Sequence, residues 1–173
     1  MPRKEELYEL MVDAVGGGYE FTAPTGDWRA DLLALARQTR ALMHRHPWLP
    51  RLLSPVYGFS PNALRYLEHS LECLAPLDVP EAEKLELAAA VNGTVATYVA
   101  GELALAERAR ALPWSEDEEQ GVRTAWLGSR LATGQYPRLA AAVSGTGPVP
   151  GAGLDMAAVF DRSVTRLLGA WDT

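Results

Sequence analysis

Apolar and polar positions recur along this chain at three- and four-residue spacing from end to end, and no stretch alternates convincingly at period two. The pattern predicts an all-α protein. Within MPRKEELYELMVDAVGGGYE, Leu7, Leu10, Met11 and Ala14 give a first amphipathic helix that opens on the charged turn Arg3-Lys4-Glu5-Glu6 with no Ser, Thr, Asp or Asn cap before it. First-turn N–H groups have no intrahelical acceptor, so this abrupt start is expected of a helix that something once preceded. Gly16-Gly17-Gly18 ends it near Val15, because each Gly inside a helix costs roughly 1 kcal/mol relative to Ala.

Asp27 is placed to cap a second helix through about His46, with Leu32, Leu33, Leu35, Ala36, Thr39, Leu42 and Met43 on a broad apolar face. Pro47 disfavours helical geometry at His46 and stops it. A short segment, WLPRLL, is closed by Ser54-Pro55, and Ser60-Pro61 supplies a cap and a first-turn proline for a helix to about Ala75. Pro80 reads as another first-turn proline, with Glu81 and Glu83 at the positive end of a helix running to about Leu112. The middle of that helix, AAAVNGTVATYVAGELA, carries small residues on several faces and so lets other helices approach closely. Ser115-Glu116-Asp117-Glu118 reads as a capping box for a helix over about 115–132. QYPRLAAAV is a short helix and SGTGPVPGAG a surface loop. A last helix carries Ala157, Phe160, Val164, Leu167, Leu168 and Trp171, and the chain has no internal repeat.

Composition narrows the function classes. The 173 residues suit one domain spanning 1–173, and 48% hydrophobic residues suffice for a substantial core. The single cysteine, Cys73, excludes an intrachain disulfide framework and fits a reducing compartment as a packing residue. No stretch approaches the roughly twenty apolar residues needed to cross a bilayer, so a soluble, cytoplasmic chain without membrane contact is expected. A formal net charge of −6 with scattered basic residues lacks the attraction to phosphate that drives nucleic-acid binding, so no direct DNA binding by this chain is expected.

Little in the sequence points to catalysis. His44 and His46 stand two apart on a helix and point away from each other, which excludes a shared metal. His69 and Glu72 are spaced for a hydrogen-bonded pair on a helix surface. HExxH, CxxC, GxSxG and a Gly-rich phosphate loop are all absent, so no cofactor, metal or catalytic residue is assigned. The acidic run Glu116 to Glu119 reads as a solvated helix start.

Taken in order, these segments resemble the C-terminal regulatory part of the tetracycline-repressor (TetR) family of transcription regulators. PRKEELYELMVDAV resembles the helix that connects that family's DNA-reading head to its ligand-binding body. DWRADLLALARQTRALMHRHPWLPRLL and GFSPNALRYLEHSLECL resemble the helices that follow. VNGTVATYVAGELA resembles the long core helix up to its acidic residue, here Glu102, with Thr97 where a glycine is usual. QYPRLA and FDRSVTRLLGAW resemble the closing helices. On this resemblance the chain begins almost at the junction of head and body, without the three-helix head. Two origins stay open: a start codon assigned too far downstream, or a deliberate trimming, against a naturally headless regulatory body. The DNA upstream of Met1 separates them.

The resemblance implies a cavity inside the helix bundle that takes a small hydrophobic molecule. Gln38, Leu42, Trp48, Tyr57, Asn62, Tyr66, Ser70, Asn92 and Tyr98 supply the mixture of aromatic, apolar and amide groups that such cavities use. The loop after Gly18 is either a plain connection or, where the family senses ligand, a wall of that cavity through Tyr19 and Phe21. A homodimer is expected through the closing helix and the helix after Pro80. Its motive is the stripe Phe160, Val164, Leu167, Leu168 and Trp171, which is wider than one intrachain neighbour should cover. Two other classes stay open: an enzyme of secondary metabolism that uses the cavity on a substrate, and a sequestering partner of full-length regulators.

Overall fold

A computed structural model describes residues 4–52, 60–111, 113–146 and 155–171. Among them there are helices and no strand: α1 (Lys4–Gly16), α2 (Trp28–Arg45), α3 (Leu49–Leu52), α4 (Pro61–Cys73), α5 (Glu81–Ala111), α6 (Glu116–Leu131), α7 (Pro137–Thr146) and α8 (Met156–Gly169). The capping chemistry explains most of the boundaries. Asp27 accepts from the backbone N–H of Arg29 and Ala30, each at 3.1 Å, and so starts α2. Ser60 extends ahead of α4 with Pro61 in its first turn. Ser115 and Glu118 form the reciprocal capping box of α6. Pro80 differs from expectation by one position. Its carbonyl accepts from Glu83 and Lys84, so it stands just before α5, whose first residue is Glu81. Helix α7 continues to Thr146, three residues into the stretch read as loop; the rest of that loop, and the Ser54-Pro55 stop, lie outside the described residues.

The chain divides into two compact units. The first holds residues 1–103 and 160–173 and contains the core. Leu32, Leu35, Ala36, Leu42 and Met43 of α2 face inward, as do Leu87, Val91, Val95 and Val99 of α5 and Phe160, Val164 and Leu168 of α8. The spacings 87-91-95-99 and 160-164-168 are four residues each, just over one helical turn, so each set forms a single stripe. The outward face of α5 carries Ala90, Thr97, Ala100 and Gly101, which explains why its small residues gave no polar side to the pattern.

The second unit holds residues 104–159. No described side chain in it is fully buried, and Trp114, Val122, Trp126, Tyr136 and Leu139 are exposed. Its local order comes from polar contacts. Glu119 accepts from Arg108 at 3.0 Å and pairs with Arg123 at 2.8 Å, and Gly134, at φ +72°, turns the chain where α6 has ended.

Candidate functional site

The first unit holds a cavity of about 490 Å³ that is partly open to solvent. Helix α1 contributes Val12, Val15 and Gly16; α2 contributes Thr39 and Met43; α4 contributes Asn62, Ala63, Tyr66 and Leu67; and α5 contributes Leu85, Ala89, Asn92, Gly93 and Ala96. Leu49, Ser60 and Tyr19 complete the described lining, none of which is charged.

The polar groups around it form two chains of hydrogen bonds. In the first, the Thr39 hydroxyl donates to the Leu35 carbonyl at 3.0 Å, as expected of a threonine inside a helix. Its single proton is thereby used, so the Tyr19 hydroxyl donates to Thr39 at 2.9 Å. The Tyr66 hydroxyl donates to the Asn92 side-chain oxygen at 2.6 Å, and the Tyr19 and Tyr66 rings meet at 4.8 Å. Burial pushes both phenols above their ordinary range, so both keep their protons at neutral pH.

The second chain ties α1 to α4. The Asn62 side-chain amide donates to the Asp13 carbonyl at 3.0 Å and to its carboxylate at 3.1 Å, while the Asn62 backbone N–H donates to that carboxylate at 2.8 Å. The backbone bond from Asn62 and the hydroxyl of Ser60 hold the Asp13 carboxyl below its usual range. A carboxylate from one helix thus satisfies an orphan N–H at the start of another. The glycines after Asp13 have a matching reason: a Cβ on Gly16 would stand 3.0 Å from the Asn62 Cβ, and one on Gly18 would stand 3.2 Å from Leu42. The chain needs glycine there because α1 ends against α4 and α2.

A further polar cluster joins α2 to α5. Arg40 grips the Glu102 carboxylate through two bonds of 3.1 and 2.7 Å, and His44 Nε2 lies 2.7 Å from the same group. Burial alone would raise the Glu102 carboxyl, but the bonds from Arg40 and His44 outweigh it and hold it below its ordinary range. Arg37 and Asp161 pair beside it at 2.6 Å, and the Arg40 guanidinium lies 5.3 Å from the Phe160 ring.

With this geometry in view, the comparison with known proteins is direct. The family described as tetracyclin repressor-like, C-terminal domain matches residues 22–169. The chain belongs to the tetracycline-repressor family. It is 33% identical over 144 residues to the HTH-type transcriptional repressor DrrR1 of Streptomyces coeruleorubidus, covering 81% of this chain and 53% of that one. It is 30% identical over 167 residues to an HTH-type transcriptional regulator of Saccharopolyspora erythraea, covering 95% of this chain and 64% of that one. The chain therefore spans a little over half to about two thirds of the length of these relatives.

Within this TetR-family body, the residues expected to bind ligand separate into three groups. Asn62, Tyr66 and Asn92 line the cavity. Ser70 and Leu42 are buried behind it; Ser70 donates to the Tyr66 carbonyl at 2.8 Å. Gln38, Trp48 and Tyr98 are engaged elsewhere. Gln38 bonds both backbone groups of Glu20, and Trp48 packs edge-on to His46. Tyr98 meets the Phe160 ring at 5.9 Å and bonds the Ser163 hydroxyl. Tyr57 lies outside the described residues. Of the loop pair, Tyr19 lines the cavity, whereas Phe21 stacks on Tyr19 at 5.8 Å and meets the His69 ring at a tilt, 4.7 Å away. Thr39 and Met43, which the sequence pattern places only on the apolar face of α2, line the cavity; each stands one residue and about 100° around the helix from Gln38 or Leu42.

The expected interface stripe is also redistributed. Phe160, Val164 and Leu168 are 0–1% exposed within the chain itself and belong to its core cluster, so that part of the apolar stripe on α8 is buried internally. Leu167 and Trp171 remain partly exposed. His69 and Glu72 do pair, at 3.4 Å, and His69 Nε2 is 3.5 Å from Cys73 Sγ. Burial pushes that thiol up to about 11, which keeps it protonated and poorly nucleophilic. Among the described residues no cluster of His, Cys, Asp and Glu could hold a metal, and no helix is long and apolar enough to cross a membrane.

Proposed function

We propose that this chain is the ligand-receiving body of a TetR-family transcription regulator, and that a small, uncharged, largely apolar molecule occupies the cavity between α1, α2, α4 and α5. The observation that carries the reading is a cavity walled by apolar side chains and tyrosines, with no ionised lining group, in the half of the chain where the core lies. A charged ligand would be desolvated there without a counter-charge. The relatives named as transcriptional repressor and regulator make control of transcription the biological setting.

Homodimer formation belongs to the same reading. With Phe160, Val164 and Leu168 turned inward, the pairing surface is the small-residue face of α5 around Ala90, Thr97 and Gly101, together with Leu167 and Trp171 of the closing segment. Light scattering on residues 1–173 at tens of micromolar checks it, and a monomer removes it. Duplex DNA is not an expected partner of these 173 residues, whose net charge is −6.

The cavity is tested by filling it. Ala96 lines the space without being part of the fully buried core, so Ala96→Trp occupies ligand volume while the α5 stripe stays in place. Neutral apolar probes that bind the parent, scored by calorimetry and thermal shift, should lose at least tenfold in affinity for this variant, a difference of about 1.4 kcal/mol or more. Undiminished binding would mean that the ligand sits elsewhere. Mass spectrometry of the recovered probe separates a binder from an enzyme, because a binder returns the molecule unchanged.

A further inference from the structure

The polar groups of the cavity are almost all committed to one another. Thr39 gives its proton to Leu35 and accepts from Tyr19; Asn62 gives both amide hydrogens to Asp13 and accepts from Arg65 at 3.1 Å. The exception is Asn92. Its oxygen accepts from the buried Tyr66 hydroxyl at 2.6 Å, whereas its NH2 group has no hydrogen-bond partner among the described residues. A tyrosine hydroxyl that donates fixes which end of the amide faces it, so the NH2 end is the one left over. That end belongs to a residue lining the cavity, on the same wall as Ala89 and Ala96.

We propose that Asn92 is the polar specificity determinant of this cavity: it donates a hydrogen bond to a carbonyl or similar neutral oxygen acceptor of the ligand, with Tyr66 as the positioning residue that holds the amide in the donating orientation. The inference rests on the cavity reading above and adds the chemical class. The ligand is an uncharged apolar molecule bearing an acceptor oxygen. An amide NH2 in such surroundings favours a partner that accepts over one that only fills space, because a donor left unmatched in the complex loses its bonds to water. A hydrocarbon of equal shape makes the same apolar contacts and forgoes that bond.

Two probes separate the terms: prodan, a neutral naphthyl ketone whose emission moves to longer wavelength when its carbonyl accepts a hydrogen bond, and the same naphthalene with propyl in place of propionyl. The parent chain should bind the ketone more tightly than the propyl compound by about tenfold, with red-shifted emission. Asn92→Leu should erase the preference and shift the emission to the blue. Asn92→Asp keeps the shape and the acceptor for Tyr66 but removes the donor, so it should also erase the preference and decides the matter if the Leu variant does not fold. Tyr66→Phe should reduce the preference without abolishing it, because the freed amide samples both orientations. If Ala96→Trp leaves binding of both probes unchanged, or neither probe binds, the cavity reading falls and this inference with it. If Ala96→Trp blocks both probes but the ketone preference survives in both Asn92 variants, the cavity stands and the role of Asn92 is overturned.

Discussion

Replacing Glu102 by Gln should be one of the most costly single changes of a polar side chain in the first unit. The Glu102 side chain is 8% exposed and its partner Arg40 is 24% exposed, so the guanidinium would lose its bidentate anion in surroundings that water reaches only in part. Removing one partner of a buried ion pair typically costs about 3–5 kcal/mol, because the other charge is stranded. Two features lower the figure here. Arg40 keeps some solvent and lies over the Phe160 ring, and Asp161 remains close enough to attract it, although Arg37 already holds that carboxylate. We therefore expect about 2–3 kcal/mol by urea denaturation at pH 7, equivalent to roughly 4–12 °C in melting temperature for a chain of this size. The sign of the pH dependence follows from the depressed carboxyl. A group that holds its proton less tightly when folded adds stability above its unfolded value of about 4.3 and loses it as pH falls through the lower folded value. The penalty of Glu102→Gln should thus be full at pH 7 and shrink below about pH 4. The double change Arg40→Met with Glu102→Leu, which removes both charges, should cost much less than the single one. A single-variant cost under about 0.5 kcal/mol, or a cost that does not change between pH 7 and acid, would refute the argument.

Phe160→Ala should cost about 3–5 kcal/mol, since the ring is 1% exposed and no neighbour can refill its space without leaving the core; calorimetry that finds under 1 kcal/mol would show that the α8 stripe is not internal after all. Asn62→Leu should release Asp13, speed hydrogen exchange across the second half of α1 and cost about 1–2 kcal/mol, and unchanged exchange there would show that the Asp13 contact does not hold the helix. Cys73, held near 11 by burial, should react with iodoacetamide at pH 8 at least about a hundredfold more slowly than a free thiol of pKa about 8.5, and rapid labelling would refute its placement.

The helices were legible because their signals are local. Asp27, Ser60-Pro61 and the Ser115/Glu118 box each mark a start through bonds made within four residues, and each start agrees with the structure. The cavity was legible only in its chemistry. Tyr66, Asn62 and Asn92 were identified by residue type, but which turn of each helix faces the hollow depends on contacts made by chain segments far apart in sequence. Hence Tyr98, six residues after Asn92, turns to Phe160 and Ser163 while Asn92 faces the cavity. The α8 stripe shows a related limit. Periodicity reports how much apolar surface a helix carries; it does not report how much the rest of the chain covers, and Phe160, Val164 and Leu168 are 0–1% exposed within the chain. The three glycines show the same limit. Read locally they end a helix, and the close approach of Gly16 to Asn62 is visible only in three dimensions.

On the proposed reading, the walls of the cavity differ in how firmly they are held, and that difference gives binding a direction. Helix α5 presents Ala89, Asn92 and Ala96 to the hollow and is anchored by Leu87, Val91, Val95 and Val99, all 0–2% exposed, each worth roughly 1.5–3 kcal/mol of burial. Helix α1 presents Val12 and Val15 but buries only Val15, while Leu7 and Leu10 stand 53% and 66% exposed. Beside the half-buried Val12 it is held there by the polar latch from Asp13 to Asn62, partly exposed and so exchangeable with water at a net cost of about 1 kcal/mol per bond. A ligand larger than the space at hand therefore displaces α1 before it displaces α5, because the yielding wall is the one with the least buried area behind it. The helix at the start of the described chain is thus the element whose position ligand occupancy would report, and its latch sits on Asn62, a residue of the cavity wall itself.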